Sequence, residues 1–550
     1  MVTDQLTELV AVALAGARSD GLIGDADVHI QFERPRKPEH GDWSTNVALA
    51  LGGGGGNPRE IALALIERIP DSDLVESVEV AGPGFMNFRL SPAWLHDVVR
   101  RAADTTSGFA RRADTGLSIN VEYVSANPTG PINVVSGRHA AVGDTIANLL
   151  EAAGHSVTRE FYVNDAGRQV RLFGESIAAR YLKAFGHHAT VPEDGYQGDY
   201  VAELAKKIAD EIGDSLVDAA PEERNQEMLD RGLHLMLDEM RGSLEGFGTK
   251  FDVWFSEQSL HDRGLVERAI ATLRERGYAE EREGATWFKS SELGDDKDRV
   301  LMRSTGEPTY IAADAGYLLD KFQRGFDRLI YLWGADHHGA VARLLAAAEA
   351  LGHHREAIEV PIVQIVSLSR GAESLKGSKR AGVIVKLDDL VEEVGKDAAR
   401  YTFLTRSIDA HLDFDIDLAK EQAPENPVYY VQYAHARICS IVAKAAGEGI
   451  EADPQAADLS PLGHPSEEAL MRKLAAYEEE IPEAAARRAP QRVTRYAEEL
   501  ASDLSAFYRD CRVVSDDREL TEARLSLCLA TRRVLADALG ILGVSAPEHM

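Results

Sequence analysis

The hydrophobic pattern along the chain changes its period twice, and its first part mixes helical with alternating segments. Helical spacing of apolar residues occurs at residues 5–17 and 58–68, and short strand-like runs occur at residues 28–32, 75–80 and 85–90. Interleaved patterns of this kind are typical of an α+β fold. We therefore predict an α+β domain over residues 1–112.

The middle part of the chain predicts a doubly wound parallel sheet. Apolar runs typical of buried parallel strands occur at residues 118–124, 157–163, 328–333 and 359–366, with helical patterns between them. This alternation predicts an α/β, Rossmann-like domain over residues 113–412. Residues 168–295 are mostly helical in pattern, so we expect an insertion there that joins two halves of the sheet.

Residues 413–550 are almost purely helical in pattern. Long helical runs occur at residues 427–446, 466–480, 490–509 and 519–542. Consecutive helices of this length predict an all-α helix bundle. A chain of 550 residues is also too long for one core and should hold roughly three or four domains.

One junction in the middle domain has a layout that can bind phosphate. A strand-like run that ends near Val124 is followed by a polar loop and by a helical run that begins near Ser136. Such a junction directs backbone N–H groups and the positive end of a helix dipole at one point, where phosphates bind well. Many strand–loop–helix units bind nothing, so this pattern alone leaves a nucleotide site as one of two interpretations.

Composition narrows the class of protein. The chain is 44% hydrophobic but has no run of about 18 apolar residues, and its early acidic residues are unlike the basic start of a secretory signal. Its three cysteines, Cys439, Cys511 and Cys528, have no paired spacing, which suits a reducing cytoplasm. We expect a cytoplasmic protein with no metal site and no tightly bound organic cofactor.

The net charge of −30 argues by itself against nucleic-acid binding, because phosphate neutralisation requires Lys and Arg. The basic residues are nevertheless gathered in short segments. These are residues 34–37, 100–112, 376–386 and 487–495. A folded acidic protein can present such segments as basic surfaces, so the net charge leaves nucleic-acid binding open.

Seven short motifs occur in the order known from one enzyme family. They are residues 40–46 (HGDWSTN), 81–87 (AGPGFMN), 125–131 (SANPTGP), 310–314 (YIAAD), 333–339 (WGADHHG), 376–382 (KGSKRAG) and 426–437 (NPVYYVQYAHAR). Together they resemble the arginyl-tRNA synthetases, which are class I aminoacyl-tRNA synthetases, over nearly the whole chain. The resemblance implies tRNA(Arg), L-arginine and ATP with Mg2+ as substrates, and a monomeric enzyme.

The first signature of this family is altered here. Where the family usually has His-Val-Gly-His or a close variant, this chain has Asn133, Val134, Val135 and Ser136. An amide and a hydroxyl can still donate hydrogen bonds to phosphates at the helix start. We therefore expect catalytic roles for Asn133 and Ser136, and we expect Val135 to shift the adenine or to set the helix slightly farther back.

Adenylate formation requires charges that are positioned around the triphosphate. The resemblance assigns this task to Lys376, Ser378 and Lys379, on a loop whose flanking glycines let it move. It assigns nucleotide binding to a second set of residues. These are Pro131, Gly137, Gly334 and Asp336.

The resemblance places the arginine substrate beside residues 310–314. A carboxylate can accept two parallel hydrogen bonds from a guanidinium, and a phenol can orient its plane, which fits Asp314 and Tyr310. Ser125 and Asn127 are expected to bind the substrate near its amino and carboxylate groups. His337 is expected near the substrate and the ribose.

Contacts with tRNA are expected at both ends of the chain. By resemblance, the α+β domain touches the outer corner of the tRNA. In the helix bundle, Tyr433, Tyr508 and Met550 match family positions that contact the anticodon, where aromatic faces can stack on unpaired bases.

Two other hypotheses remain open at this point. The lost histidines fit a catalytically impaired paralogue that binds tRNA or acts as a regulator. The fold also suits a transferase that uses activated arginine outside translation. Retention of Lys376, Lys379 and Asp314 favours an active enzyme, because a protein that only binds tRNA has no need of them.

Overall fold

The computed structural model describes residues 2–35, 37, 40–53, 56–371 and 385–550, together with the backbone of residues 373–375. Its N-terminal part is a four-stranded antiparallel sheet with helices, which agrees with the predicted α+β pattern. The elements are α1 (Val2–Ser19), β1 (Phe32–Glu33), β2 (Trp43–Thr45), α2 (Val47–Gly52), α3 (Pro58–Ile66), β3 (Val75–Ala81), β4 (Phe85–Leu90) and α4 (Pro92–Ala103). The strand order is β1–β2–β4–β3.

The central part is built on a parallel sheet. Its first half contains β5 (Ser118–Glu122), α5 (Val134–Ala152), β6 (Ser156–Val163), α6 (Arg168–Ala184), α7 (Asp199–Ile212), α8 (Pro221–Gly246), β7 (Val253–Ser256), α9 (Gln258–Asp262), α10 (Leu265–Glu275), β8 (Ala279–Arg282), β9 (Ala285–Phe288) and β10 (Arg299–Met302). Its second half contains α11 (Tyr310–Gln323), β11 (Arg328–Tyr331), β12 (Trp333–Gly334), α12 (Val341–Leu351), β13 (Ile358–Glu359), β14 (Ile362–Val363), β15 (Val366–Arg370), β16 (Glu373–Leu375), α13 (Leu387–Val394), α14 (Lys396–Leu404), β17 (Leu412–Asp415) and α15 (Ile416–Lys420).

The topology of this sheet determines where a ligand can bind. The strand order is β13–β11–β5–β6–β7, and all four pairings are parallel. The chain moves outward on one side from β5 to β6 and β7, and β11 then starts the other side. The order therefore reverses between β5 and β11, and ligands of open α/β sheets bind outside the carboxyl ends of the strands at such a point. Glu122 and Tyr331 end these two strands.

The region predicted as a mostly helical insertion is more mixed than its pattern indicates. The helices α6, α7 and α8 occupy its first part, as expected. Strand β7 then returns to the edge of the parallel sheet, and β8, β9 and β10 form a separate antiparallel sheet. Strands of four residues are too short to impose a clear period on the sequence. The predicted strand at residues 359–366 is likewise divided among β13, β14 and β15.

The C-terminal part is a bundle of four long helices, α16 (Pro427–Gly447), α17 (Pro465–Ala486), α18 (Gln491–Asp510) and α19 (Arg518–Ile541). Each helix buries an apolar stripe against the others, as predicted. Ion pairs attach the N-terminal part to this bundle. Arg111 pairs with Asp537 (Nη1–Oδ2 3.1 Å), Arg34 pairs with Glu479 (3.2 Å), and Arg472 pairs with Asp42.

Candidate active site

The loop between β5 and α5 is held in a strained conformation at the carboxyl edge of the sheet. Val124 and Ser125 have φ angles of 68° and 42°, which non-glycine residues rarely adopt. The Ser125 side chain fixes the loop, because Oγ accepts from the Tyr162 N–H (3.1 Å) and donates to Glu122 Oε1 (3.3 Å). Backbone strain that is maintained in this way is common at functional sites.

Helix α5 begins at this edge, and Asn133 caps it. Asn133 Oδ1 accepts from the Ser136 N–H at 2.9 Å, which satisfies a backbone donor of the first turn. The amide Nδ2 of Asn133 and the hydroxyl of Ser136 are therefore the donors that these side chains can offer to a ligand. Val135 is 40% exposed on the same turn and adds a branched side chain to the surface.

The predicted residues Lys376, Ser378 and Lys379 lie outside the described part of the chain. The segment that follows them is bound directly to the start of α5. Residues 385–387 form a bridge and two backbone hydrogen bonds, of 2.9 and 3.2 Å, with residues 132–134. The chain is thus held against the helix start from residue 385 onward.

Gly137 lies where helix α5 packs closely on its neighbours, and its predicted contact with ATP stays a prediction. The residue is buried, and a Cβ at this position would lie 2.6 Å from Leu387 Cδ1 and 3.4 Å from a ring carbon of Phe403. A larger residue here would force the Leu387 side chain to move, because α5 and the start of α13 approach closely.

A buried ion cluster supports the floor of the site. Lys321 is fully buried, and its Nζ donates to Glu122 Oε2 at 2.6 Å and lies 3.7 Å from Glu160 Oε1. Arg324 forms two hydrogen bonds with Glu160, of 2.6 and 2.9 Å. Burial alone would raise the pKa of Glu160, but the two cations hold that pKa below its ordinary value. The cluster joins β5, β6 and α11 and fixes the position of Glu122.

Two further carboxyl groups make the pocket beside Glu122 acidic. Burial raises the pKa of Asp314, on α11, to about 6; Arg343 opposes this shift and Glu122 adds to it. Burial also raises the pKa of Glu257, which follows β7, to about 7, and the nearby Asp314 contributes to the shift. Carboxyl groups crowded in this way are costly to ionise without a cation. The pocket can therefore bind a planar cation such as guanidinium.

The groups around Glu257 restrict its orientation. The Tyr162 hydroxyl hydrogen-bonds the Glu257 carboxyl group. With its amide turned so that the nitrogen and the oxygen both find partners, Asn164 donates from its nitrogen to Glu257 Oε2 at 2.9 Å. Tyr310, one turn before Asp314, is 71% exposed. At the opposite side, Asn127 Nδ2 donates to Gln169 Oε1 at 2.8 Å. Glu122, Asp314 and Glu257 thus form one acidic cluster through their electrostatic interactions, and the placement of Tyr310 and Asn127 beside a bound arginine stays a prediction.

The carboxyl end of β11 continues into a second edge of the site. Gly334 ends β12, and a Cβ there would lie 2.6 Å from Asp336 Oδ1, so the Asp336 carboxylate lies directly beside this glycine. The side chains of Asp336 and His337 are 83% and 62% exposed, and they lie 3.7 Å apart. This edge offers an accessible carboxylate that can accept hydrogen bonds from hydroxyl groups.

An aromatic platform lies on the helix bundle. The rings of Tyr429 and Tyr433 are nearly parallel, with centroids 6.1 Å apart. The Arg437 guanidinium lies over Tyr433 and Tyr508, 4.7 and 5.0 Å from the ring centroids. Tyr433, Tyr508 and Met550 are each exposed by 41–52%. Exposed rings and a guanidinium plane are the groups on which unpaired bases stack.

Family models match three successive parts of the chain. The arginyl tRNA synthetase N terminal domain matches residues 4–90, the class I (R) tRNA synthetase catalytic domain matches residues 105–407, and the DALR anticodon binding domain matches residues 431–550. The arginine–tRNA ligase of Moorella thermoacetica is 48% identical over 99% of this chain and 98% of its own length. That of Heliobacterium modesticaldum is 45% identical over the same shares.

The chain belongs to the arginyl-tRNA synthetase family. Solved structures support the same fold at lower identity. The Thermus thermophilus arginyl-tRNA synthetase has a TM-score of 0.77 at 24% identity and covers all of both chains. The Plasmodium falciparum arginyl-tRNA synthetase has a TM-score of 0.74 at 16% identity, over 100% of this chain and 99% of its own.

Family membership confirms the resemblance drawn from the seven motifs, and the geometry adds residues that the sequence reasoning missed. Glu257 and Tyr162 contribute to the acidic pocket, and Arg437 to the aromatic platform. A signal for Glu257 was available, because it directly follows an apolar run at the carboxyl end of a strand. Within the described residues, no helix is long and apolar enough to cross a membrane, and no group of three or more His, Cys, Asp or Glu side chains is arranged to hold a metal.

Proposed function

We propose that this protein is an arginine–tRNA ligase, which activates L-arginine with ATP and transfers the arginyl group to the terminal ribose of tRNA(Arg). The observation that supports this function most directly is the acidic pocket of Glu122, Glu257 and Asp314, in which Glu122 ends β5, the strand that precedes α5. A guanidinium in this pocket would neutralise carboxyl groups that are costly to ionise alone. The amino-acid carboxylate would then point toward the helix start.

In the first step, a carboxylate oxygen of arginine attacks the α-phosphorus of ATP. A new oxygen–phosphorus bond forms, the bond to the β-phosphate breaks, and pyrophosphate leaves with Mg2+. Asn133 Nδ2, the Ser136 hydroxyl and the dipole of α5 stabilise the charge on the phosphates. Lys376, Ser378 and Lys379 are proposed to complete this environment from the segment before residue 385. Pro131, Gly334 and Asp336 hold the nucleoside.

In the second step, a ribose hydroxyl of the tRNA attacks the arginyl carbonyl carbon, and AMP leaves. The tRNA must therefore reach the pocket with its terminal nucleotide. We propose that Tyr433, Arg437, Tyr508 and Met550 contact the anticodon and that residues 1–112 touch the outer corner of the tRNA. One chain carries all these parts, so we propose that it acts as a monomer, in the cytoplasm where tRNA is charged.

Aminoacylation with radioactive arginine tests this function. Purified protein, ATP, Mg2+ and tRNA(Arg) should give labelled arginyl-tRNA, and lysine should not be incorporated, because it lacks the planar fork that the pocket fits. Asp314→Ala provides a matched variant that should charge tRNA more slowly at low arginine concentration. If the protein binds tRNA(Arg) but forms no arginyl-tRNA, the impaired-paralogue hypothesis replaces the proposal.

A further inference from the structure

The signature helix carries an imidazole that the altered motif does not account for. His139 lies on α5, six residues after Asn133, and only 8% of it is exposed. The two positions where the family usually has histidine, 133 and 136, hold an amide and a hydroxyl instead. The function of the buried ring at 139 is therefore a separate question.

The ring faces the turn that leads to Asp336. It hydrogen-bonds the backbone carbonyl of Leu332, at the end of β11. A Cβ at Gly334 would lie 4.0 Å from His139 Cε1, so the imidazole lies beside this glycine. Asp336 and His337 also act on it electrostatically. Three consecutive parts of the turn thus surround one ring on the neighbouring helix.

The His139 ring is neutral, and it donates one hydrogen bond. Burial and the neighbouring Arg138 lower the pKa of His139 to about 4, and Asp336 only partly opposes this shift. A neutral imidazole has one N–H donor and one acceptor nitrogen. Because the Leu332 carbonyl can only accept, the N–H of the ring is directed at the turn.

The position of His139 along α5 indicates whether the ring lies nearer to the triphosphate or to the nucleoside of ATP. Six residues of α-helix span about 9 Å and three span about 4.5 Å, so His139 lies nearly two turns after Asn133 and about one turn after Ser136. Its neighbours Gly334 and Asp336 are those proposed to hold the nucleoside. The contacts of the ring are therefore with the proposed ribose edge.

We propose that His139 is a positioning residue for the nucleoside half of ATP. It ties α5 to the turn of residues 332–336 and so determines where the Asp336 carboxylate meets the ribose. This inference rests on the nucleotide site of the proposed function. A histidine that only fills the core would affect stability but would not affect the two substrates differently.

Four variants separate these possibilities. His139→Leu keeps the volume and removes the donor, whereas His139→Asn and His139→Gln restore an amide donor near one or the other ring nitrogen. Val142→Ala, on the same helix and buried, is the control for a packing defect. We expect His139→Leu to raise the Michaelis constant for ATP about tenfold, as for one lost hydrogen bond to a buried group, with the arginine constant within about twofold of wild type. At least one amide variant should restore most of the loss, and Val142→Ala should lower the melting temperature alone.

Direct binding makes the test independent of the overall reaction. Equilibrium dialysis with ATP and with adenosine should show the same fold loss for His139→Leu, because the contact serves the nucleoside half. The proposal would be overturned if His139→Leu lost affinity for ATP but not for adenosine, or if it weakened ATP and arginine binding equally. It would also be overturned if His139→Leu behaved like wild type, or if neither His139→Asn nor His139→Gln restored ATP binding. If wild-type protein binds ATP but charges no tRNA, the proposed function fails while the binding data still decide the role of His139.

Discussion

At the scale of single residues, Asp314 has the clearest consequence for specificity. Burial raises the pKa of its carboxyl group to about 6. Ionising this group at neutral pH therefore costs free energy, and a bound guanidinium would offset that cost. Asp314→Asn should raise the Michaelis constant for arginine about ten- to a hundredfold, the range for one charge-assisted pair. The constant for ATP should stay within about threefold of wild type. Glu307→Gln, an exposed acid just before α11, is the control. Equal effects on both substrates would remove Asp314 from the arginine pocket.

The same pocket predicts how arginine binding depends on pH. Asp314 and Glu257 have pKa values raised to about 6 and about 7, and guanidinium binds their ionised forms. Arginine affinity should be full above about pH 7.5 and should fall as the pH drops through 6, by up to about tenfold per unit for each carboxyl. Calorimetric titration of arginine from pH 8 to 5.5 measures this dependence. Glu257→Gln should flatten the upper part of the profile, and an unchanged profile would exclude Glu257 from the pocket.

These raised pKa values also have a consequence for stability. Folding favours the protonated carboxyls, so their contribution to stability is present below about pH 4 and is lost as the pH rises to about 7. Bound arginine reverses that loss. The increase in melting temperature on addition of arginine should therefore be larger at pH 8 than at pH 5.5.

At the scale of elements, the start of α5 combines a helix cap with a phosphate donor. Asn133→Ala should remove both the cap and the donor. It should lower the free energy of unfolding by about 1 kcal/mol and the turnover about ten- to a thousandfold. Asn133→Asp keeps a good cap but replaces the donor by an anion, so it should retain the melting temperature and lose turnover. Thermal unfolding and aminoacylation rates measure the two effects. Full turnover with Asp at 133 would limit this residue to capping.

At the scale of the whole molecule, one buried guanidinium joins the catalytic part to the bundle. Arg400 is fully buried and contacts Asp144 on α5 (2.5 Å), the Phe247 carbonyl after α8 (3.2 Å) and the Leu542 carbonyl after α19 (3.1 Å). Arg400→Leu leaves Asp144 poorly compensated and should cost about 3–5 kcal/mol. Adding Asp144→Val should recover part of that loss in urea unfolding. Arg406→Leu, at an exposed position on the same segment, should have little effect.

The arrangement of the domains also bears on how tRNA acts. The aromatic platform and the acidic pocket belong to different domains, and family resemblance implies that tRNA completes the active site. Arginine-dependent exchange of pyrophosphate into ATP should therefore require cognate tRNA, since induced assembly exchanges some catalytic power for specificity. tRNA with a different anticodon is the control. Robust exchange without any tRNA would contradict this prediction.

Local patterns and the order of motifs were enough to predict the fold class, the family and the helix that begins near Asn133, and they named Asp314 and Tyr433 as candidates whose roles stay predictions. These features are readable because the period of a helix or strand and the residues of a motif are close in sequence. The same local reasoning could not show that Leu387 packs on Gly137.

Features that depend on distant residues were decided only by the tertiary structure. Lys321 reaches Glu122 across 199 positions, and Glu257 joins Asp314 only because β7 returns to the sheet beside β6. The raised pKa values of the pocket follow from burial and from neighbouring charges, and neither is a property of a residue type. The sequence by itself therefore determined which chemical groups are available, whereas the tertiary structure decided which of them share one pocket, because burial and electrostatic coupling act through space and not along the chain.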